Sequence, residues 1–226
     1  MESKESKSHE FDWEVGASEL RDRKYERGEY RRVPVIMVSG YARAGKDTAA
    51  DYFANDHGYH KIGFSDPLYE MLAPFLGLTV MQLHKLKERQ AKMLAIGERI
   101  LPQFDVRYLL KTLGTEWGRD CVGSHIWAEF AYRKWLIMNR RGQLDYFVFR
   151  DWRFESEYDY FAAKIGRQHI FRVKITRDDC QSQVGHRSED EIALLPCDWL
   201  VENNATVAEL YTKLGQGFQL FQRGLV

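Results

Sequence analysis

The chain is short of cysteine and proline, carries no excess charge of either sign, and has no long apolar run. Only three cysteines occur in 226 residues, Cys121, Cys180 and Cys197, and none forms a Cys-x-x-Cys pair. That excludes a disulfide framework and a multi-cysteine zinc module, and it suits a reducing cytoplasm. Basic and acidic side chains number 33 each, for a formal net charge of zero. A broadly basic surface is therefore missing, so no direct nucleic-acid partner is expected, though a local basic patch stays open. The longest mostly apolar stretch, 71–83, is broken by Pro74, Gly77 and Gln82 and is too short to cross a bilayer, so no membrane partner is expected. The first residues, Met1-Glu-Ser-Lys-Glu-Ser-Lys7, are polar and mixed in charge, unlike a secretory leader. What is present is 44% hydrophobic residues in a chain long enough for one domain with an appended segment. A chain of this size buries about 70% of its unfolded surface without needing a staple.

Residues 1–32 hold eight Lys or Arg, nine Asp or Glu, four Ser and few aliphatic side chains. Such a stretch cannot offset its ordering entropy by apolar burial, which predicts a charged mobile extension with 17–30 as an exposed helix. A partner-binding arm is the alternative. From Val33 the character changes, and 33–226 reads as one domain. Val33 to Ser39 is a β-branched apolar run bounded by Gly40, hence a buried strand. Lys46–His57 reads as a helix and 59–64 as a short strand. Ser65-Asp66-Pro67 signals a helix start, with Pro at the first position. A mainly helical middle runs from about 66 to 138, with Trp127, Phe130, Ala131 and Met138 at core spacing. Strands at 146–149, 169–175 and 199–201 follow, with helices at 155–165, closed by Gly166, and 207–221, capped by Thr206 with Glu209 completing a capping box. This alternation predicts an α/β fold with a mainly parallel sheet.

Gly40-Tyr-Ala-Arg-Ala-Gly45-Lys46 lies between the first strand and first helix, which is the G-x-x-x-x-G-K spacing of a phosphate-binding loop. Gly40 and Gly45 admit backbone angles that turn successive N–H groups toward phosphate oxygens. The helix N-terminus adds partial positive charge, and Lys46 a mobile full one. Asp47 follows where Ser or Thr usually contacts magnesium, and Thr48 comes next. Asp47 either holds metal through water or meets the attacking phosphate, or simply stabilises the first helical turn. Arg43 sits where the transferred phosphoryl would lie, or is an exposed loop arginine.

Asp151-Trp-Arg153-Phe-Glu-Ser-Glu157 directly follows the 146–149 strand, and ligands of open parallel sheets bind beyond strand carboxyl ends. Asp151 can orient metal or water there, and Arg153 can neutralise transferred charge. A structural Asp–Arg pair capping the helix, with Glu157 solvated, is the alternative. Arg107 to Arg119, through Leu113-Gly-Thr-Glu116, reads as an amphipathic helix running into a glycine-punctuated turn. Its end arginines suit phosphate, or are solvated charges.

Together these segments resemble the phage-type deoxynucleoside monophosphate kinases, P-loop kinases of the nucleoside monophosphate kinase group. The resemblance runs in order over about 33–215. It is carried by Ser39 to Thr48, Phe64-Ser-Asp-Pro-Leu68, 107–119, Ile126-Trp127, Asp-x-Arg-Phe-x-x-Glu at 151–157, His186-Arg-Ser-Glu189 and Val201-Glu-Asn203. Gly-Lys-Asp-Thr and Asp-x-Arg are also similar to human-type phosphomevalonate kinases, but Leu-Gly-Thr-Glu favours the nucleotide family. The resemblance implies a three-layer fold on a five-stranded parallel sheet, a substrate-binding helical part at about 66–140 and a lid at about 176–195. It implies ATP with Mg2+ and transfer to a deoxynucleoside monophosphate, supplying DNA precursors.

By the same resemblance ATP is bound by Gly40, Ala42, Arg43, Ala44, Gly45, Lys46, Asp47, Thr48, Arg177 and Asn203. The acceptor is bound by Leu68, Tyr69, Arg107, Gly114, Thr115, Glu116, Arg119, Trp127, Asp151, Arg153 and Glu157. Tyr69 stands where lysine is common, and Lys87-Glu88 matches a family pair without matched surroundings. The resemblance also implies a homodimer, and a cytoplasmic location, that of a host cell if the gene is a phage's. Lys46, Arg43 and Arg153 would stabilise charge, Asp47 or Asp151 would organise metal and water, and Asp47 and Thr48 would be the metal contacts. A phosphomevalonate-type small-molecule kinase and a non-catalytic nucleotide-binding protein are the competing readings.

Overall fold

The apolar run at 35–39 sits at the centre of a sheet covered on both faces. In β1 (Val35–Ser39) every residue is buried: Val35 and Met37 join one core cluster, Ile36 and Val38 the other. A strand that buries both faces needs no polar alternation, which is why this one reads as continuous hydrophobe. The computed structural model describes residues 34–89, 94–96, 99–101, 105–140, 146–180 and 187–226. The expected extension at 1–32 lies outside these.

β1 pairs in parallel with β5 (Phe147–Phe149) on one side and β6 (Ile170–Thr176) on the other. β2 (His60–Ile62) flanks β5, and β7 (Trp199–Glu202) flanks β6, giving the all-parallel order β2-β5-β1-β6-β7. The chain leaves β1 toward β2 on one side and β6 toward β7 on the other. The connections therefore diverge at the β1/β6 boundary, the kind of switch point beyond whose strand ends ligands of open parallel sheets bind.

On one face, α1 (Lys46–His57) packs through Ala49, Ala50 and Phe53 against Leu210, Leu214, Phe218 and Phe221 of the last helix, Val207–Gln222. Thr206 caps that helix, its hydroxyl accepting from the Glu209 amide at 3.3 Å. On the other face lie Ile126–Arg140, through Ala128, Ala131, Tyr132 and Trp135, and Glu155–Ile165, through Tyr158 and Phe161. Each such large side chain contributes about 1.5–3 kcal/mol by leaving water.

The middle of the chain builds a third, smaller core. α2 (Asp66–Phe75), α3 (Val80–Glu88) and α4 (Val106–Lys111) enclose Leu68, Leu72, Leu76, Leu83, Val106 and Leu110 with Trp127. Two features differ from or add to the sequence reading. The middle is mainly helical as expected, but it also holds a strand pair the sequence reading did not include, β3 (Leu94–Ile96) antiparallel to β4 (Arg99–Leu101). The sequence between them, Gly97-Glu98, is a two-residue hairpin signal. And α4 does not run into a turn: the chain continues as a π-helix, Thr112–Val122. A Trp127 Nε1–H donates to the Gly114 carbonyl at 2.7 Å, and a Cβ at Gly118 would overlap the Trp127 ring. A side-chain donor entering the helical ladder beside small residues accounts for the widened winding.

Candidate active site

Left-handed backbone shapes the loop after β1. Gly40, Arg43 and Gly45 have φ of 146°, 68° and 104°. A Cβ at Gly40 would overlap the Ile175 carbonyl oxygen and one at Gly45 the Asn203 side-chain amide, so space as well as angle demands glycine. Arg43 holds its angle without that freedom, at a cost of roughly 1–2 kcal/mol, and leaves its side chain exposed beside Ala42. Ala44 is buried under the loop. Gly45 caps α1 without a side-chain bond, so the first-turn amides and their partial positive charge face the loop. Lys46 Nζ donates to the Tyr41 carbonyl at 2.7 Å, lying along its own loop.

Across the crevice, the strand ends converge. Asp151 accepts from the Phe64 amide at 2.8 Å, the Ser65 amide at 3.0 Å and the Ser65 hydroxyl, tying the end of β5 to the β2–α2 turn. This diverts Ser65 from capping α2, and Asp66 turns back to accept from the Gly63 amide at 2.8 Å. Three of a carboxylate's roughly four lone-pair sites are thereby used. Arg150, which no motif marked, donates to Asp66 at 2.6 Å and sits 3.9 Å from Asp47 of α1. It therefore joins the phosphate-loop helix to the opposite wall. Burial works against its charge, but Asp151, Asp66 and Asp47 outweigh burial and hold the guanidinium above its ordinary range.

Lys87 of α3 lies within electrostatic reach of Arg153, Arg107 of α4, Asp151 and Asp47, and burial with the two arginines pushes its ammonium down. Tyr69 is buried beside them, and burial followed by the Asp151 charge pushes its phenol up to about 12. Thr48, Thr115, Glu116 and Arg177 are half-buried or exposed, with Arg177 just beyond β6. Of the expected lid, Arg187–Leu194 forms a helix and 181–186 lie outside the described residues.

Several predicted contacts take other positions. Asn203 is buried behind the phosphate loop, its amide donating to the Ala44 carbonyl at 2.8 Å, so it braces the loop from below. Trp127 is 2% exposed and belongs to the helical core, with its N–H committed to Gly114. Leu68 is buried against Gly114. Arg119 and Glu157 form a buried ion pair, their side chains 7% and 3% exposed. Arg119 also donates to the Ser124 carbonyl at 2.9 Å and lies 3.7 Å over the Phe154 ring. Glu157 accepts from the Arg153 and Phe154 amides at 3.1 and 3.3 Å, and burial pushes its carboxyl up to about 7 against the Arg119 charge. The solvated Glu157 entertained from sequence is thus corrected: the pair fixes the backbone that presents Arg153.

The sequence profile of the deoxynucleotide monophosphate kinase family matches residues 75–214, more than half of the chain. This chain belongs to that family. The kinase is also similar to a protein of Acanthamoeba polyphaga mimivirus, provisionally named deoxynucleotide monophosphate kinase, with 26% identity over 195 residues, 80% of this chain and 93% of that protein. Among solved structures, a dephospho-CoA kinase from Campylobacter jejuni aligns at a TM-score of 0.34 and 12% identity, covering 84% of this chain and 98% of that one, too loosely to bear on function. The protein is therefore a nucleotide monophosphate kinase, and its family implies ATP as donor and nucleotide substrates.

No helix among the described residues is long and apolar enough to cross a membrane. Nor, among them, do three or more His, Cys, Asp or Glu form a metal-binding group. Asp47, with its side chain 75% exposed at the first turn of α1, fits a magnesium ion that keeps its waters and rides on nucleotide phosphates.

Proposed function

We propose that this kinase transfers the γ-phosphoryl of ATP directly to the 5′-phosphate of a deoxynucleoside monophosphate. An oxygen of the acceptor phosphate bonds to Pγ, the bond from Pγ to the bridging oxygen breaks, and ADP leaves with that oxygen. The observation that supports this reading is the placement of Lys87, Arg107, Arg150 and Arg153 opposite a glycine-shaped loop with an uncapped helix start. Two polyanions meeting in line require cations on both sides of the transferred group.

Lys46 leaves the Tyr41 carbonyl to reach the β- and γ-phosphates, since an ammonium gains more from a phosphate than from a neutral carbonyl. Arg43 at the loop tip and Arg153 across the crevice neutralise the equatorial oxygens. Asp47, with Thr48, would hold magnesium through water, and the metal would supply positive charge against the donor's phosphates. Asp47 suits that role better than Asp151, whose oxygens are largely committed to the 64–65 turn. Asp151 instead positions the acceptor wall. The diphosphate product is one phosphorylation short of a polymerase substrate, which fits a supply of DNA precursors. ADP release with ATP, magnesium and a panel of deoxy- and ribonucleoside monophosphates tests this reading. Acceptor-dependent release is expected. ATP turnover indifferent to any monophosphate, or mevalonate phosphate as the better acceptor, would sink it.

A further inference from the structure

The end of β5 sends successive side chains to opposite faces of the sheet. Val148 lies in the core under α1 and Phe149 in the core on the other face. Arg150, next in the alternation, returns to the α1 side, where its Nε comes within 3.9 Å of the Asp47 carboxylate in the first turn of that helix. On its other side Nη2 donates to Asp66 Oδ1 at 2.6 Å. Asp66 is held in turn, for it opens α2 and its second oxygen accepts from the Gly63 amide at 2.8 Å. The Arg150 backbone is tied as well, its amide donating to the Ile62 carbonyl at 3.1 Å. The guanidinium is therefore a fixed group between the start of the phosphate-loop helix and the start of α2.

Its hydrogen bonding is unfinished. A guanidinium presents a fork of N–H donors, and among the described residues this one makes the single hydrogen bond to Asp66. The Asp47 oxygen lies beyond hydrogen-bond reach, and that side chain is 75% exposed, so the second pair contributes little. Yet the Arg150 side chain is only 23% exposed, which limits water's access to the remaining donors. They stand where the uncapped amides of α1 already face a place for an anion, so an anionic acceptor between the two would satisfy both. A clamp joining Asp66 to Asp47 is the competing role, and it leaves most of the fork unused.

We infer that Arg150 is a catalytic residue: steadied by Asp66, the unused edge of its guanidinium donates to the phosphoryl group as it passes from donor to acceptor. This rests on the proposed transfer reaction, which counts Arg150 only among the cations opposite the loop, and gives that cation a specific object. Charge spreads over the equatorial oxygens during transfer, and a planar fork meets two of them at once. A donor already held in place needs no reorganisation at that moment, so its contribution falls chiefly on turnover and not on affinity.

Arg150→Met keeps the stem and removes the donors. With ATP and the best deoxynucleoside monophosphate, kcat should fall about 100- to 1,000-fold while both KM values stay within about threefold. Binding supplies a second readout. ADP with magnesium, aluminium fluoride and the same monophosphate mimics the group in transit, and should bind the variant more weakly by a similar factor, whereas ADP alone should bind as it does to wild type. Arg150→Lys keeps a charge beside Asp66 but lacks the fork, and should stay below about a tenth of wild-type turnover. A clamp predicts the opposite pattern, a lower melting temperature and raised KM values with kcat nearly intact, and that result overturns the inference. So does a loss of turnover without weaker binding of the aluminium fluoride complex. If Arg150→Met fails to fold, Arg150→Lys decides, and full turnover there is the overturning result. No acceptor-dependent ADP release from wild type would refute the transfer reading and the inference together; release that survives undiminished in Arg150→Met refutes the inference alone.

Discussion

Replacing Arg119 by Met tests whether the pair joining the π-helix to the Asp-x-Arg segment is an energetic unit. The substitution leaves the Glu157 carboxylate buried with only the Arg153 and Phe154 amides for partners. Stranding one charge of a buried pair costs about 3–5 kcal/mol. At about 2–4 °C per kcal/mol for a chain of this size, the melting temperature should fall by roughly 6–20 °C. The loss depends on pH with a definite sign. Burial already holds Glu157 near 7, against about 4.5 for an unfolded glutamate, and losing Arg119 raises it further. As pH rises above about 4.5, the native variant retains a proton that the unfolded chain has released, so its stability falls. The deficit should thus be largest above pH 7 and shrink at pH 5, where the carboxyl is neutral. Arg119→Met with Glu157→Leu removes both charges and should recover most of the stability. Urea and thermal melts of the four proteins, at pH 5 and pH 8, measure the cycle. A single-variant loss under about 1 kcal/mol, or a double variant as unstable as the sum of its parts, would refute the reasoning.

Lys46→Ala should keep the wild-type melting temperature and lose at least about a hundredfold in turnover, close to 3 kcal/mol, read by coupled ADP release; near-normal turnover removes the loop lysine from the mechanism. Asp151→Asn sets an amide group against the Phe64 and Ser65 donors, so turnover should drop along with about 1–3 kcal/mol of stability; a drop in turnover with an unaltered melt would return Asp151 to direct chemistry. Gly118→Ala drives a methyl into the Trp127 ring, and a urea melt should show a loss of about 1–3 kcal/mol, partly relieved by Trp127→Phe.

The sheet was legible because burial on both faces leaves unbroken apolar strands, as at Val35–Val38, and because Gly40 and Gly45 punctuate the chain where space and φ require it. The left-handed turn of the loop after β1 was legible for the same local reason. Contacts made across long separations were not. Nothing near Asn203 in sequence tells that its amide will serve the Ala44 carbonyl, and nothing near Arg119 announces Glu157. Trp127 read correctly as core by its spacing, yet its reach into the Gly114 carbonyl, which widens the helix, is invisible to any periodicity. Arg150 escaped notice because its significance lies in Asp66 and Asp47, carboxylates from two other elements.

The Asn203 brace ties the shape of the proposed nucleotide loop to the last strand and helix of the described residues. A lesion in that strand or helix that lets this amide drift would loosen the proposed ATP loop at the Ala44 carbonyl without changing any residue of the loop itself. Mutational scans for weakened ATP binding should accordingly turn up a second cluster of hits near the carboxyl terminus, silent toward the acceptor.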